Sequence, residues 1–266
     1  MIIFPRDENT RYYKTHYMYL LNIIKRCVKA PSSLKLGPPT GFNGSKFIID
    51  WNEKKVLIDF CDLHDLPYDP SEYDTIFKYH WNQEIFSKHE NLFPIMPMSF
   101  FDWDQYSILQ EQIKYTCNGN RILCNQRPYA GALERRRKVQ ALLKEHFQEV
   151  DTRIYPQEHF WGLINDCLLS VCVPGARNDI LDRGQLQQMA FGCCTISPRL
   201  SDEFQESMEG TYIECAEDYS DLVPIIKGCI SNRHACKWVG ERAKKWFQTI
   251  GLPNQIFKWM ETCING

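Results

Sequence analysis

No apolar run in this chain approaches the roughly 18 to 20 residues that a membrane-spanning helix needs, and the opening stretch "MIIFPRDENTRYYK" has no charged region followed by an apolar one. The expectation is a cytoplasmic protein with no membrane span. A basic excess is also missing. The formal net charge of −2 argues against a general nucleic-acid binder, which carries surplus Lys and Arg. Low-complexity tracts and internal repeats are absent, and 44% hydrophobic with 24% charged residues describes a globular chain. The cysteines, though plentiful at twelve, never fall at C-x-x-C spacing. Zinc modules need close ligand pairs, so these thiols read as buried structural groups and no metal is expected.

What is present is an alternation of strand and helix. Residues 11–28 place Tyr13, Tyr17, Leu20, Leu21, Ile24 and Val28 at helical spacing, and 31–45 reads as loop from its Pro, Gly and Ser. "KFIIDWNEKKVLIDFCD" gives two β-rich runs about a polar turn, residues 73–81 a further strand, and 92–101 a proline-broken edge. From 121 the order becomes strand ("RILCNQ"), turn ("RPYAG"), helix (with Val139, Leu142, Leu143 and Phe147 on one face), helix, strand ("LLSVCV"), helix and strand. That alternation predicts a parallel sheet covered by helices. The remainder after about 216 reads as helical. Two α/β domains follow, 1–115 and 116–266.

The segment "VCVPGARNDILDRGQLQQMAFGCCTISP" (171–198) carries the densest chemistry. Ligands of open α/β sheets bind outside the carboxyl ends of strands. Here Gly175 admits close backbone approach, the next helix offers free N–H groups to a phosphate, and Arg177 and Arg183 can add bidentate contacts. Asp179, Arg183 and Gln187 recur every four residues, which predicts one polar face at the helix start. Asp179 or Asp182 as an ordinary cap explains the same residues.

The pattern Gly175, Arg183, Gln187, Gly192, Cys193 resembles the donor-nucleotide region of GT-B glycosyltransferases, and residues 121–250 as a whole are similar to their C-terminal domain. The resemblance implies two Rossmann-like domains facing a cleft, with C-terminal helices closing the structure. It further implies transfer of a sugar from a nucleotide diphosphate sugar to a hydroxyl of a glycan or glycoprotein acceptor, without a cofactor or metal. A uridine donor is favoured, with xylose among the candidate sugars. By this resemblance the diphosphate lies near Gly175, Arg183 and the loop that carries Arg127 and Tyr129, and Arg177, Asp179 and Asp182 are further candidates for the nucleotide site. Gln187 stands where an acid often holds the ribose, with Asp182 or Gln188 as alternatives. An inverting transfer needs a base for the acceptor hydroxyl. Asp62, Asp65 and His64, just past a strand ending at residue 60, are the candidates in that order. Lys78 and His80 are placed in the cleft by alternation with Phe77 and Tyr79. The triple Arg135-Arg136-Arg137 reads as a solvated helix face. Two rivals remain open: a non-catalytic glycan-binding or scaffold protein on the same fold, and a metal-dependent GT-A enzyme using the Asp102-Trp103-Asp104 carboxylates.

Overall fold

The structure, a computed structural model, describes residues 19–20, 22–24, 26–27, 35–36, 46–61, 65–79, 87–95, 103–175, 179, 181–200 and 207–266. Its contacts divide the chain into two units. One comprises Met1–Trp103, Asp202–Gln205 and Ile250–Gly266; the other comprises Asp104–Ser201 and Glu206–Thr249.

The first unit is built on a five-stranded sheet in the order β1-β2-β3-β4-β5. Strands β2 (Lys46–Trp51) and β3 (Lys54–Asp59) form an antiparallel hairpin. Its two turn residues, Asn52 and Glu53, both take positive φ, 51° and 69°, as the right-handed strand twist demands of a two-residue turn. Phe47, Ile49 and Trp51 are buried along β2 while their neighbours are half-buried, the period-2 pattern of a one-faced strand. A two-residue strand, β1 (Lys35–Leu36), pairs antiparallel with β2, in a stretch expected to be loop. Strands β4 (Thr75–Lys78) and β5 (Leu92–Pro94) continue the sheet in parallel. Pro94 sits in the outermost strand, where a missing N–H costs least. The described residues between 19 and 27 are helical and bury Tyr19, Leu20, Ile23 and Ile24.

The C-terminal helix, Pro253–Asn265, also belongs to the first unit. It buries Ile256, Phe257, Met260 and Ile264. The Phe257 ring lies 5.1 Å from that of Trp51, and the Trp259 indole donates to the Pro94 carbonyl at 2.9 Å.

The second unit holds, but for the terminal residues Trp103 and Ile250, α1 (Trp103–Gln112), β6 (Arg121–Leu123), α2 (Leu133–His146), β7 (Val150–Asp151), α3 (Gln157–Gly162), β8 (Cys167–Val171), α4 (Arg183–Ala190), β9 (Thr195–Pro198), β10 (Ile213–Cys215), α5 (Leu222–Ser231) and α6 (Arg233–Ile250). The sheet order is β10-β9-β8-β6-β7, with every pairing parallel. Every residue of β8 is buried, the mark of a central strand covered on both faces. Leu168 and Leu169, fully enclosed, each contribute about 2 kcal/mol by leaving water. The core gathers Val139 and Leu143 of α2, the apolar residues of β8, and six thiols: Cys117, Cys124, Cys194, Cys215, Cys229 and Cys236. All twelve cysteines are free.

The "GCC" that follows α4 is a helix stop. Gly192 takes φ +81°, its N–H bonds the Met189 carbonyl at 2.9 Å, and the Cys193 N–H reaches back to Gln188 at 2.9 Å. These are the paired bonds of a Schellman motif, which favours glycine at the left-handed position. The same corner packs against Gly240 of α6, where a Cβ would overlap the Gly192 carbonyl.

Candidate functional site

In the second unit the chain runs outward from β6 to β7, then returns to β8 on the other side of β6 and continues to β9 and β10. The direction of winding reverses between β6 and β8. At such a reversal the loops beyond the carboxyl ends are where an open parallel sheet accepts a ligand. Those loops are residues 124–132 and 172–182.

Arg136 ties them together. From the first turns of α2 its Nε donates to the Val173 carbonyl (2.9 Å) and its Nη1 to the Arg127 carbonyl (2.7 Å). Its Nη2 lies 3.3 Å from Asp182 Oδ2, with 6% and 21% of the two side chains exposed. The guanidinium also lies 5.2 Å from the centre of the Tyr129 ring. Arg135 adds bonds from Nη2 to the Pro174 and Gly175 carbonyls at 2.8 and 2.6 Å. The solvated face expected of the triple arginine is thus confined to Arg137, which is exposed. The missed signal is spacing: Arg136 stands three and seven residues before the core residues Val139 and Leu143.

Several predicted contacts are placed differently by the structure. Gly175 does leave room for a close approach, but the group that uses it is the Tyr129 hydroxyl, which a Cβ at residue 175 would overlap. Asp182 is the N-cap of α4, accepting from the Gln185 N–H at 3.0 Å, so one of the amides expected to receive phosphate is already engaged. Asp179 precedes the helix and shares no helical face with Arg183 or Gln187. Gln187 is 3% exposed and accepts from the Trp161 indole at 3.3 Å, a core contact far removed from the polar stripe predicted for it. The alternative, Gln188, is equally buried and accepts from the Cys172 thiol at 3.2 Å. The physical reason is that α4 is enclosed on all sides from Gln185 to Ala190, so tertiary packing overrides its amphipathic period. Arg127 and Tyr129 are exposed in the loop after β6, and Arg183, half-buried, is the first residue of α4. Arg177 lies outside the described residues.

One strand further out, Asp151 is buried at the end of β7 and accepts from the Arg153 N–H (3.0 Å), Arg153 Nη2 (2.7 Å), the Tyr155 hydroxyl (2.8 Å) and Asn125 Nδ2 (3.3 Å). Burial alone would raise this carboxyl. The bonds from Arg153 and Tyr155 outweigh it and hold the group well below the usual carboxylate range.

In the first unit, the candidate bases Asp62 and His64 lie outside the described residues, and Asp65 is exposed. The buried chemistry begins three residues before Asp62. Asp59 and Lys78, register partners at the ends of β3 and β4, form an ion pair at 3.4 Å with neither side chain exposed. Asp59 accepts from the Cys61 N–H (2.8 Å) and the Tyr68 hydroxyl (3.2 Å), and Lys78 donates to the Cys61 carbonyl (2.5 Å). Burial depresses the Lys78 ammonium pKa despite the opposing pull of Asp59. The alternation that was to place Lys78 in a cleft instead turns it into the interior. His80 and Asp102 lie outside the described residues, and Asp104 is exposed in the first turn of α1. Among the described residues no group of three or more His, Cys, Asp or Glu is arranged to hold a metal ion, and no helix is long and apolar enough to cross a membrane.

Comparison with known proteins brings no match: no family model, curated protein or solved structure is similar to this chain.

Proposed function

We propose that the chain is a glycosyltransferase of GT-B type that moves a sugar from a nucleotide diphosphate sugar, a uridine donor being favoured, to a glycan hydroxyl. The observation that carries the reading is the reversal of strand order between β6 and β8, with the polar loops 124–132 and 172–182 at its carboxyl end. This is where an open parallel sheet accepts a nucleotide. Arg127 and Arg183 supply positive charge to the leaving diphosphate, and Tyr129 flanks it. Arg136 and Asp182 act through these groups as positioning residues, because their own polar atoms are bonded within the protein. Asp179, half-buried in the loop beyond β8, replaces Gln187 as our candidate for a ribose hydroxyl. The base of an inverting transfer is assigned to the chain just beyond β3, to Asp62, Asp65 or His64.

Thermal unfolding with a panel of nucleotides tests the reading. A ligand held at 100 times its Kd adds about 2.7 kcal/mol of stability. A rise with UDP that Arg127→Ala and Arg183→Ala abolish is the expected result. A chain that no nucleoside diphosphate stabilises ends the proposal.

A further inference from the structure

A cavity of about 340 Å³ lies along the outer strand of the same sheet and is lined by Arg121, Lys144, Gln148, Glu149, Val150, Asp151, Thr152 and Arg153. Three cations reach it: Arg121 at the start of β6, Lys144 in the last turn of α2 and Arg153, two residues beyond β7. Against them stand two acids, Glu149 and Asp151, so the lining keeps an excess of one positive charge. Asp151 is bonded to Arg153, as above, and Glu149 Oε1 accepts from Asn120 Nδ2 at 3.3 Å. Neither Arg121 nor Lys144 pairs with a carboxylate among the described residues.

Arg153 is held for use. Its Nε and Nη2 both bond the Asp151 carboxylate, at 3.2 and 2.7 Å, and its guanidinium lies 5.1 Å from the centre of the Tyr155 ring. The side chain is nevertheless 72% exposed, whereas Asp151 is only 4% exposed. A buried carboxylate therefore fixes a cation at the surface, which lowers the entropy that a ligand must remove. The backbone adds to this. Ile122 and Cys124 take the carbonyls of Glu149 and Asp151, so the N–H and C=O of Val150 between them point away from β6, along the free edge of the sheet.

From this geometry we infer that the groove along β7 binds an acidic saccharide, a sugar ring bearing a carboxylate or a phosphate. Arg121, Lys144 and Arg153 meet the anionic group. Gln148, Thr152 and the outward Val150 backbone meet ring hydroxyls. A bare oxyanion would leave most of the cavity unfilled, and a neutral sugar would leave the cations unmet. The site is separate from the loops beyond β6 and β8, and it stands whether or not a nucleotide binds there.

The test is amide chemical-shift titration of the intact protein with glucuronate, glucose 6-phosphate, glucose and inorganic phosphate, repeated with UDP present. Glucuronate or glucose 6-phosphate should shift residues 149–153, and whichever binds names the anionic group. The double variant Arg121→Gln/Lys144→Gln should weaken that binding at least tenfold, and UDP should not compete. Four results would each overturn the inference: silence from both charged sugars, equal binding of glucose, phosphate binding as tightly as its sugar ester, or competition by UDP.

Discussion

Arg136 offers the sharpest check on how the second unit is assembled. Replacing it with Met keeps most of the side-chain volume and removes the charge. Lost are the bonds to Val173 and Arg127 at 2.9 and 2.7 Å, the 3.3 Å contact with Asp182, and the contact with the Tyr129 ring. Hydrogen bonds from a charged donor are worth about 1.5–3 kcal/mol each, and the ring contact about 0.5–1 kcal/mol. The three bonds share one guanidinium and do not add in full. A loss of about 4 kcal/mol is therefore expected, a large part of the roughly 5–15 kcal/mol of a typical domain. Urea unfolding followed by tryptophan fluorescence measures it. Arg136→Lys should recover less than half, because one ammonium cannot span acceptors that a planar fork reaches in three directions. A loss under about 1 kcal/mol for Met, or full recovery with Lys, would refute the clamp.

Three further outcomes are expected. Lys78→Met leaves Asp59 charged and enclosed, and should cost about 3–5 kcal/mol, whereas Asp59→Asn/Lys78→Met should restore most of that; equal urea midpoints for the single and double variants would contradict a paired interior charge. Gly240→Ala drives a methyl into the Gly192 carbonyl and should destabilise by about 1–3 kcal/mol in the same assay, although alanine ordinarily favours a helix. Stability should fall above pH 8.5, because burial pushes the Cys124 and Cys215 thiols up to about 12. A raised thiol pKa favours folding only while the unfolded chain also keeps its proton. At pH 10 each of these two groups withdraws about 2 kcal/mol. Urea midpoints unchanged between pH 7 and pH 10 would show that these thiols reach solvent.

What the sequence made legible was local. The β2–β3 hairpin announces itself through alternating apolar residues about Asn52-Glu53, and β6, α2, β8 and α4 through a change of period from two to nearly four. Strand order is another matter. It depends on which distant segments pair, and no stretch of residues 121–215 states that β8 lies beside β6. The candidate site residues divide along the same line. The exposed loop position of Arg127 and Tyr129 was legible because a short loop after a strand has few places to go. Gln187 was misplaced because helical period says which residues share a face, never how many faces a neighbour covers. For α4, covered throughout from Gln185 onward, the polar side chains are interior hydrogen-bonding groups, and Gln185 reaches Ser197 Oγ at 3.1 Å in the same way. Arg136 is the converse, a charge that composition assigns to water and that the carbonyls of two loops draw inward. In both cases the deciding partner lies in another element: Trp161 of α3 for Gln187, and Val173 and Asp182 beyond β8 for Arg136. The loops beyond the β6–β8 pair are tied together by long-range polar contacts, so the residues that position them are the ones that local pattern is least able to name.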